Sequence, residues 1–311
     1  MILELPELIP RLLPARAGGA RLSFVAVHHA KLVFLAFREG MRDPEFVVTV
    51  SSEEEVTRLH GVLTGLYRTI PTLTAESLAI GRLADGRFVH IQSAVPGMPW
   101  VSLASSLRRD DQLRLHARAL EVLGSLHAAI DAVPAWHTRV SPSDELRRQL
   151  VLCAQYGVTL SERAKQCAES CAEHLAELGE LDCHWQHGDY CANNLMVSGP
   201  EVRIFDFDEF GLTAMPLHDQ FALAFSVHGL ASGDEASLRP MAEQVRTCVA
   251  AALGARPALG GHVRGLLMHH LLWTVNLGYG KPARARRVQA VRRHLEALAA
   301  ASEYYLPPSA G

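Results

Sequence analysis

HGDYCANNLMVSGPEVRIFDFDEFG, residues 187–211, decides how the rest of the chain is read. His187, Gly188 and Asp189 are followed, five positions after the aspartate, by Asn194. Apolar Leu195-Met196-Val197 reads as a strand, Ser198-Gly199-Pro200 as a turn, and residues 202–205 as a second strand ending at Asp206. Two carboxylates and one amide are thereby expected at the mouth of one hairpin. Phosphoryl transfer needs such a set. A magnesium ion takes hard oxygen ligands and keeps several waters, so one Asn and one Asp can hold it on the phosphates. A further aspartate must face the acceptor hydroxyl and take its proton. Any one of these motifs alone reads as ordinary turn residues. In this order, around a strand, a turn and a strand, they point to chemistry.

Working outward, residues 21–28, 32–37 and 46–50 read as three strands rich in Val, Leu and Phe. Ser51 or Ser52 ahead of Glu53-Glu54-Glu55 is a capped helix start, and the helix is expected to run to about Tyr67. Residues 77–83 and 87–91 form a hairpin around Asp85-Gly86. Residues 92–100 break the pattern with two prolines and a glycine. Beyond them helical periodicity dominates, at 110–129, 145–156, 161–178 and from Gln220 onward. The expectation is an α+β chain of two lobes. Residues 1–94 give a small lobe of five strands and one helix, and residues 95–311 a larger, mostly helical lobe.

Composition narrows the function. The chain has 311 residues, 49% of them hydrophobic, and a formal net charge of −3. This is an ordinary globular balance, with no electrostatic drive toward nucleic acid or an anionic membrane. Pro6, Pro10 and Pro14 break up the apolar N-terminal residues, so neither a signal peptide nor a long helix is expected there. The six cysteines form no CxxC pair and suit a reducing, cytoplasmic setting. Cys167 and Cys171, with Cys183-His184, lack zinc-ligand spacing and read as small buried side chains.

The 187–211 segment resembles the aminoglycoside phosphotransferase and choline kinase group, small-molecule relatives of the protein kinases. Two weaker similarities accompany it, LEVLGSLH at residues 120–127 and MPLHDQFALA at 215–224. The resemblance implies a protein-kinase-like two-lobe fold. It implies Asp189 as catalytic base, Asn194 and Asp206 as magnesium ligands, and Asp208 as a second acid or merely a turn cap. His187 and Asp219 would support the catalytic loop. ATP, or GTP, would meet the connector Gln92, Ser93, Ala94 and Val95 through backbone groups.

The resemblance falters in the first lobe. The family carries a phosphate-contacting lysine on the third strand, where Thr49 stands here. It also carries a glutamate on the next helix, and no acid follows Glu55 there. The first lobe has one lysine, Lys31, at the start of the second strand. Lys31 could reach the phosphates from the neighbouring strand. Alternatively the nucleotide contacts are weakened, or the chain is a non-catalytic kinase-like binding protein. Gly18-Gly19 precede the first strand and look like a flexible entry, not a phosphate cradle.

The acceptor is expected to be a small molecule bearing a hydroxyl, such as a metabolite, sugar or antibiotic. A protein Ser or Thr acceptor is a further possibility of the same architecture. Residues 256–294 contain no Asp or Glu and many arginines, which suits a neutral or anionic acceptor better than a polycation. Trp273, Asn276, Tyr279 and either His269 or His270 are candidate walls of the acceptor site. The cluster at 283–287 reads as a solvated helix face.

Overall fold

The computed structural model describes residues 5–14, 21–28, 31–38, 40–104, 106–228, 235–254, 256–279 and 285–300. Gly18-Gly19, and the side chains of the 283–287 cluster, lie outside what it describes. The chain divides into two compact units that are discontinuous in sequence. The first holds residues 1–103, 109–129 and 195–208, and the second holds 104–108, 130–194 and 209–311. The first unit thus runs past the expected boundary at Ala94 and takes in two later segments.

The first unit is built on an antiparallel sheet of β1 (Arg21–His28), β2 (Lys31–Phe37), β3 (Phe46–Ser51), β4 (Ser77–Arg82) and β5 (Phe88–Ser93). Their order is β1-β2-β3-β5-β4. Side chains alternate across a strand, so residues two apart share a face. Phe34, Ala36, Phe46, Val48, Val50, Val89 and Ile91 accordingly bury together on one face. Leu5 and Ile9 of α1 (Leu5–Leu12) complete this cluster. Burial of each large side chain there is worth about 1.5–3 kcal/mol. The early prolines tolerate this short helix of eight residues. Pro6 lies in the first turn, where its missing N–H has no partner to lose, and Pro10 forgoes a single bond.

Helix α2 (Glu53–Thr69) packs on β3, β4 and β5. Ser52 caps it, its side chain accepting from the Glu55 amide at 3.3 Å. Val56, Leu59, Val62, Leu63 and Leu66 form the buried stripe that its helical period demands.

The residues after β5 do not simply break the pattern. Met98–Pro99 is a short strand, β6, which pairs with β9 (Leu195–Ser198); β9 in turn pairs with β10 (Glu201–Ile204). Gly97 makes the approach possible, since a Cβ there would sit 2.4 Å from the Val197 carbonyl oxygen. The short α3 (Trp100–Leu103) and the long α4 (Arg109–Asp131) follow.

The second unit pairs β7 (His137–Val140) with β8 (Leu181–His184). Its helices are α5 (Pro142–Gln155), α6 (Glu162–Leu175), α7 (His218–His228), α8 (Glu235–Leu253), α9 (Val263–Gly278) and α10 (Ala285–Ala300). Helix α9 is the axis: it contacts α5, α6, α7 and α10, and every residue from Gly265 to Asn276 is buried. A helix apolar on all sides is a core helix. Among the described residues, no helix is long and apolar enough to cross a membrane. All six cysteines are free, and five are buried.

Candidate active site

In the second unit the loop between β8 and β9 is held from several sides. Asp219, at the start of α7 and fully buried, accepts the His187 amide at 2.8 Å and the Gly188 amide at 3.0 Å. One carboxylate thereby satisfies two consecutive loop donors, and the loop amides give the buried charge its partners. Gly188 has φ +86, and a Cβ on it would lie 2.4 Å from the Glu209 carbonyl oxygen, so only glycine fits. The imidazole of His218 lies 3.2 Å from the Gly188 carbonyl through Nε2. His187 is buried and stands edge-on to Tyr190 at 5.8 Å.

These supports leave Asp189 half-buried, with Asn194 beside it. The Asn194 Nδ2 donates to the Asp189 carbonyl at 2.9 Å and to its carboxylate at 3.2 Å. The amide nitrogen is thus spent on the aspartate, which leaves Oδ1 as an oxygen donor for a cation.

The first unit holds two further acids, Asp206 and Asp208. Asp206 lies two residues beyond β10, exposed, with φ +62. Its Oδ1 accepts the Asp208 amide at 3.3 Å, a turn geometry that Asp tolerates better than most residues. Taken singly, the Asp206 carboxylate and the Asn194 amide oxygen are each hard oxygen donors of the kind magnesium prefers. Between the two aspartates, Phe207 is buried and anchors the segment.

Lys31 has a charged partner. Strand alternation puts Lys31 and Val33 on one sheet face, and Val33 pairs with Thr49, so Thr49 shares that face. Lys31 forms an ion pair with Asp208 and is only 11% exposed. Thr49 is buried and lies opposite His90, which burial, with His60 next in effect, lowers to about 4. The Ser77 hydroxyl bridges the two rings, at 2.8 Å from His60 Nδ1 and 2.7 Å from His90 Nε2. The position that would hold a lysine is therefore packed with neutral groups.

Sequence reasoning missed Arg58. From α2 its guanidinium donates to the carbonyls of Phe207 at 3.3 Å and Asp208 at 3.1 Å. Where a glutamate was sought on this helix, an arginine grips the backbone of the DFD segment. Of the connector, the Ser93 amide is committed to the Glu76 carbonyl and the Ala94 amide to the Glu45 carbonyl, each at 2.9 Å. Gln92 is held in the ladder opposite Val47, and Val95 follows the strand.

The expected acceptor walls are placed differently from one another. Asn276 is buried in the contact of α5 with α9, where it donates to Gln149 and accepts from the Cys153 thiol at 3.1 Å. Its polar groups are spent inside the unit, so it is not a free wall. His270 meets His218 at 3.3 Å and Trp273 stands edge-on to His218, so both back the 187–194 loop through that ring. His269 is fully buried, and desolvation keeps it neutral. Tyr279 is exposed and stacks on Tyr156 at 5.3 Å.

With this geometry in view, residues 36–245 match the model of the phosphotransferase enzyme family. The chain belongs to that family. Membership makes it a relative of enzymes that transfer phosphoryl groups, and the fold agrees. A candidate aminoglycoside phosphotransferase from Ralstonia eutropha JMP134 is similar with TM-score 0.70 and 16% identity, covering 98% of each chain. The GDP complex of aminoglycoside 2'-phosphotransferase-IIIa gives TM-score 0.64 and 15% identity, over 96% of this chain and 99% of that one. A thermostable variant of APH(4)-Ia, bound to AMP-PNP and hygromycin B, gives 0.63 and 16%, over 94% and 97%. At such identities the likeness is one of fold. No curated protein sequence matches. The family's kinase-like fold is thus the fold of this chain, with a small antiparallel sheet and a mostly helical remainder.

Proposed function

We propose that this phosphotransferase-family protein is a small-molecule kinase, moving the γ-phosphoryl of ATP or GTP to a hydroxyl. The observation that carries the reading is the braced loop, in which Asp219 holds two amides and Asn194 holds Asp189. Asp189 accepts the proton of the acceptor hydroxyl as the new bond forms, and the Asn194 amide keeps its carboxylate oriented. Asn194 and Asp206 would hold magnesium, which when bound neutralises charge on the phosphates. Lys31 supplies a cation from β2 in place of the missing one at Thr49. The nucleotide complexes among similar structures support a nucleoside triphosphate donor. The APH(4)-Ia structure also holds the aminoglycoside hygromycin B. The acid-free, arginine-rich stretch 256–294 favours a neutral or anionic acceptor over such polycations.

A second reading draws on the Lys31–Asp208 pair. If that pair persists with nucleotide present, the chain binds a metabolite or partner without transfer. Calorimetry with ATP and with GTP, each with and without magnesium, followed by turnover on a panel of hydroxyl compounds, separates the two. Magnesium-dependent binding with turnover supports the kinase. Absence of binding by either nucleotide favours the second reading.

A further inference from the structure

Far along the second unit, three side chains converge without a role in the chemistry above. His174 lies in the last turn of α6, and Glu177 follows it in the 3-10 turn Ala176–Leu178. His262 is the residue that opens α9, and its side chain does not cap the helix. The rings of His174 and His262 lie 4.4 Å apart and tilted by 32°. One donor atom from each of the three residues lies within 4.8 Å of the other two.

The hydrogen bonds of His174 leave an electrostatic mismatch. Its Nε2 is 3.2 Å from the Gly261 carbonyl, which can only accept, so Nε2 carries the proton. In a neutral ring Nδ1 then presents a lone pair, and it does so 3.1 Å from the Glu177 carboxylate oxygen. Two acceptors at that distance require a positive charge beside them. A proton on Nδ1 would settle this one pair. It would leave His262 Nδ1, which is buried and makes no hydrogen bond. A metal ion serves both rings and the carboxylate together.

We propose that His174, Glu177 and His262 form a binding site for a divalent late transition-metal ion of the zinc or cobalt type, which clips the end of α6 to the start of α9. Two imidazoles and one carboxylate are a set that suits such ions and not magnesium or calcium. Metal–ligand bonds of about 2.0–2.2 Å set tetrahedral ligand atoms roughly 3.3 Å apart, close to the His174–Glu177 spacing. The three donor atoms lie within 4.8 Å of one another, so some contraction remains, and the 65% exposed Glu177 and 51% exposed His174 side chains have room to make it. His174 is half exposed, so water reaches the remaining coordination position.

The test is a titration of the full chain with Co²⁺, read by visible absorption and repeated with Glu177→Gln and His262→Ala. The expected result is one equivalent bound with ligand-field bands and no sulfur-to-metal charge transfer, weakened about tenfold or more in each variant. Zinc should displace the cobalt and raise the unfolding temperature of the wild type but not of the variants. Glu177→Gln changes an exposed side chain, so it reports even if His262→Ala does not fold. Three results would each overturn the site: no cobalt binding, unchanged affinity in Glu177→Gln, or a thiolate charge-transfer band placing the ion on cysteines.

Discussion

The loop at residues 187–194 and the sheet face that carries Lys31 and Thr49 hold charge in opposite ways. The loop gathers its contacts from α7, through Asp219 and His218, and its Asp189 carboxylate is supported by the Asn194 amide. The sheet face sets Thr49 opposite the neutral His90 and pairs Lys31 with Asp208. If Lys31 is the phosphate contact proposed above, its long stem is what lets a lysine serve from the neighbouring strand on the same face.

Four measurements break or sharpen this contrast. The largest effect should come from Asp189→Asn, lowering kcat by about 10²–10⁴-fold while nucleotide affinity, read by calorimetry, stays near the wild-type value. A comparable loss of affinity would remove Asp189 from the role of base.

Next is the neutral histidine. His90 titrates below its ordinary value, so its contribution is whole above about pH 6.5 and disappears as pH falls toward about 4. Over that window the unfolded chain binds the proton and the folded chain resists it, a difference of about 3 kcal/mol. Denaturant melts of wild type and His90→Gln at a series of pH values should differ in slope, with the variant flatter.

Lys31→Met should cost about 10–100-fold in kcat/KM for the nucleotide, the worth of a charged hydrogen bond, whereas Thr49→Ala should leave it unchanged. The reverse pattern would return the phosphate contact to β3. Arg58→Ala is expected to be the mildest, about tenfold in kcat, because it frees two carbonyls that water can reach. A Lys side chain at position 58 should recover part of that loss, which a purely structural defect would not show.

Much of this was legible in the sequence because the signal is local. HGD, Asn194 and the DFD run lie within one strand–turn–strand, and the five-stranded sheet follows from alternation and turn residues. The unread features depend on partners distant along the chain. Met98 and Pro99 pair with residues about a hundred positions later, which no period in the connector announces. Arg58 looked like an absent glutamate because its targets are backbone carbonyls, which have no sequence identity. Asn276 looked like a polar wall, but its amide is spent between two helices that only tertiary packing brings together. The short helix α1 was hidden by its prolines for the converse reason. A short helix loses little to them and regains it by burying Leu5 and Ile9.

The two amides donated to Asp219 also provide a spectroscopic handle. Protons held by a buried carboxylate are strongly deshielded and exchange slowly with solvent. In a nitrogen-15 correlation spectrum the His187 and Gly188 signals should therefore stand downfield of the crowded region. They would report the state of the catalytic loop, with and without nucleotide, from two peaks and no added probe.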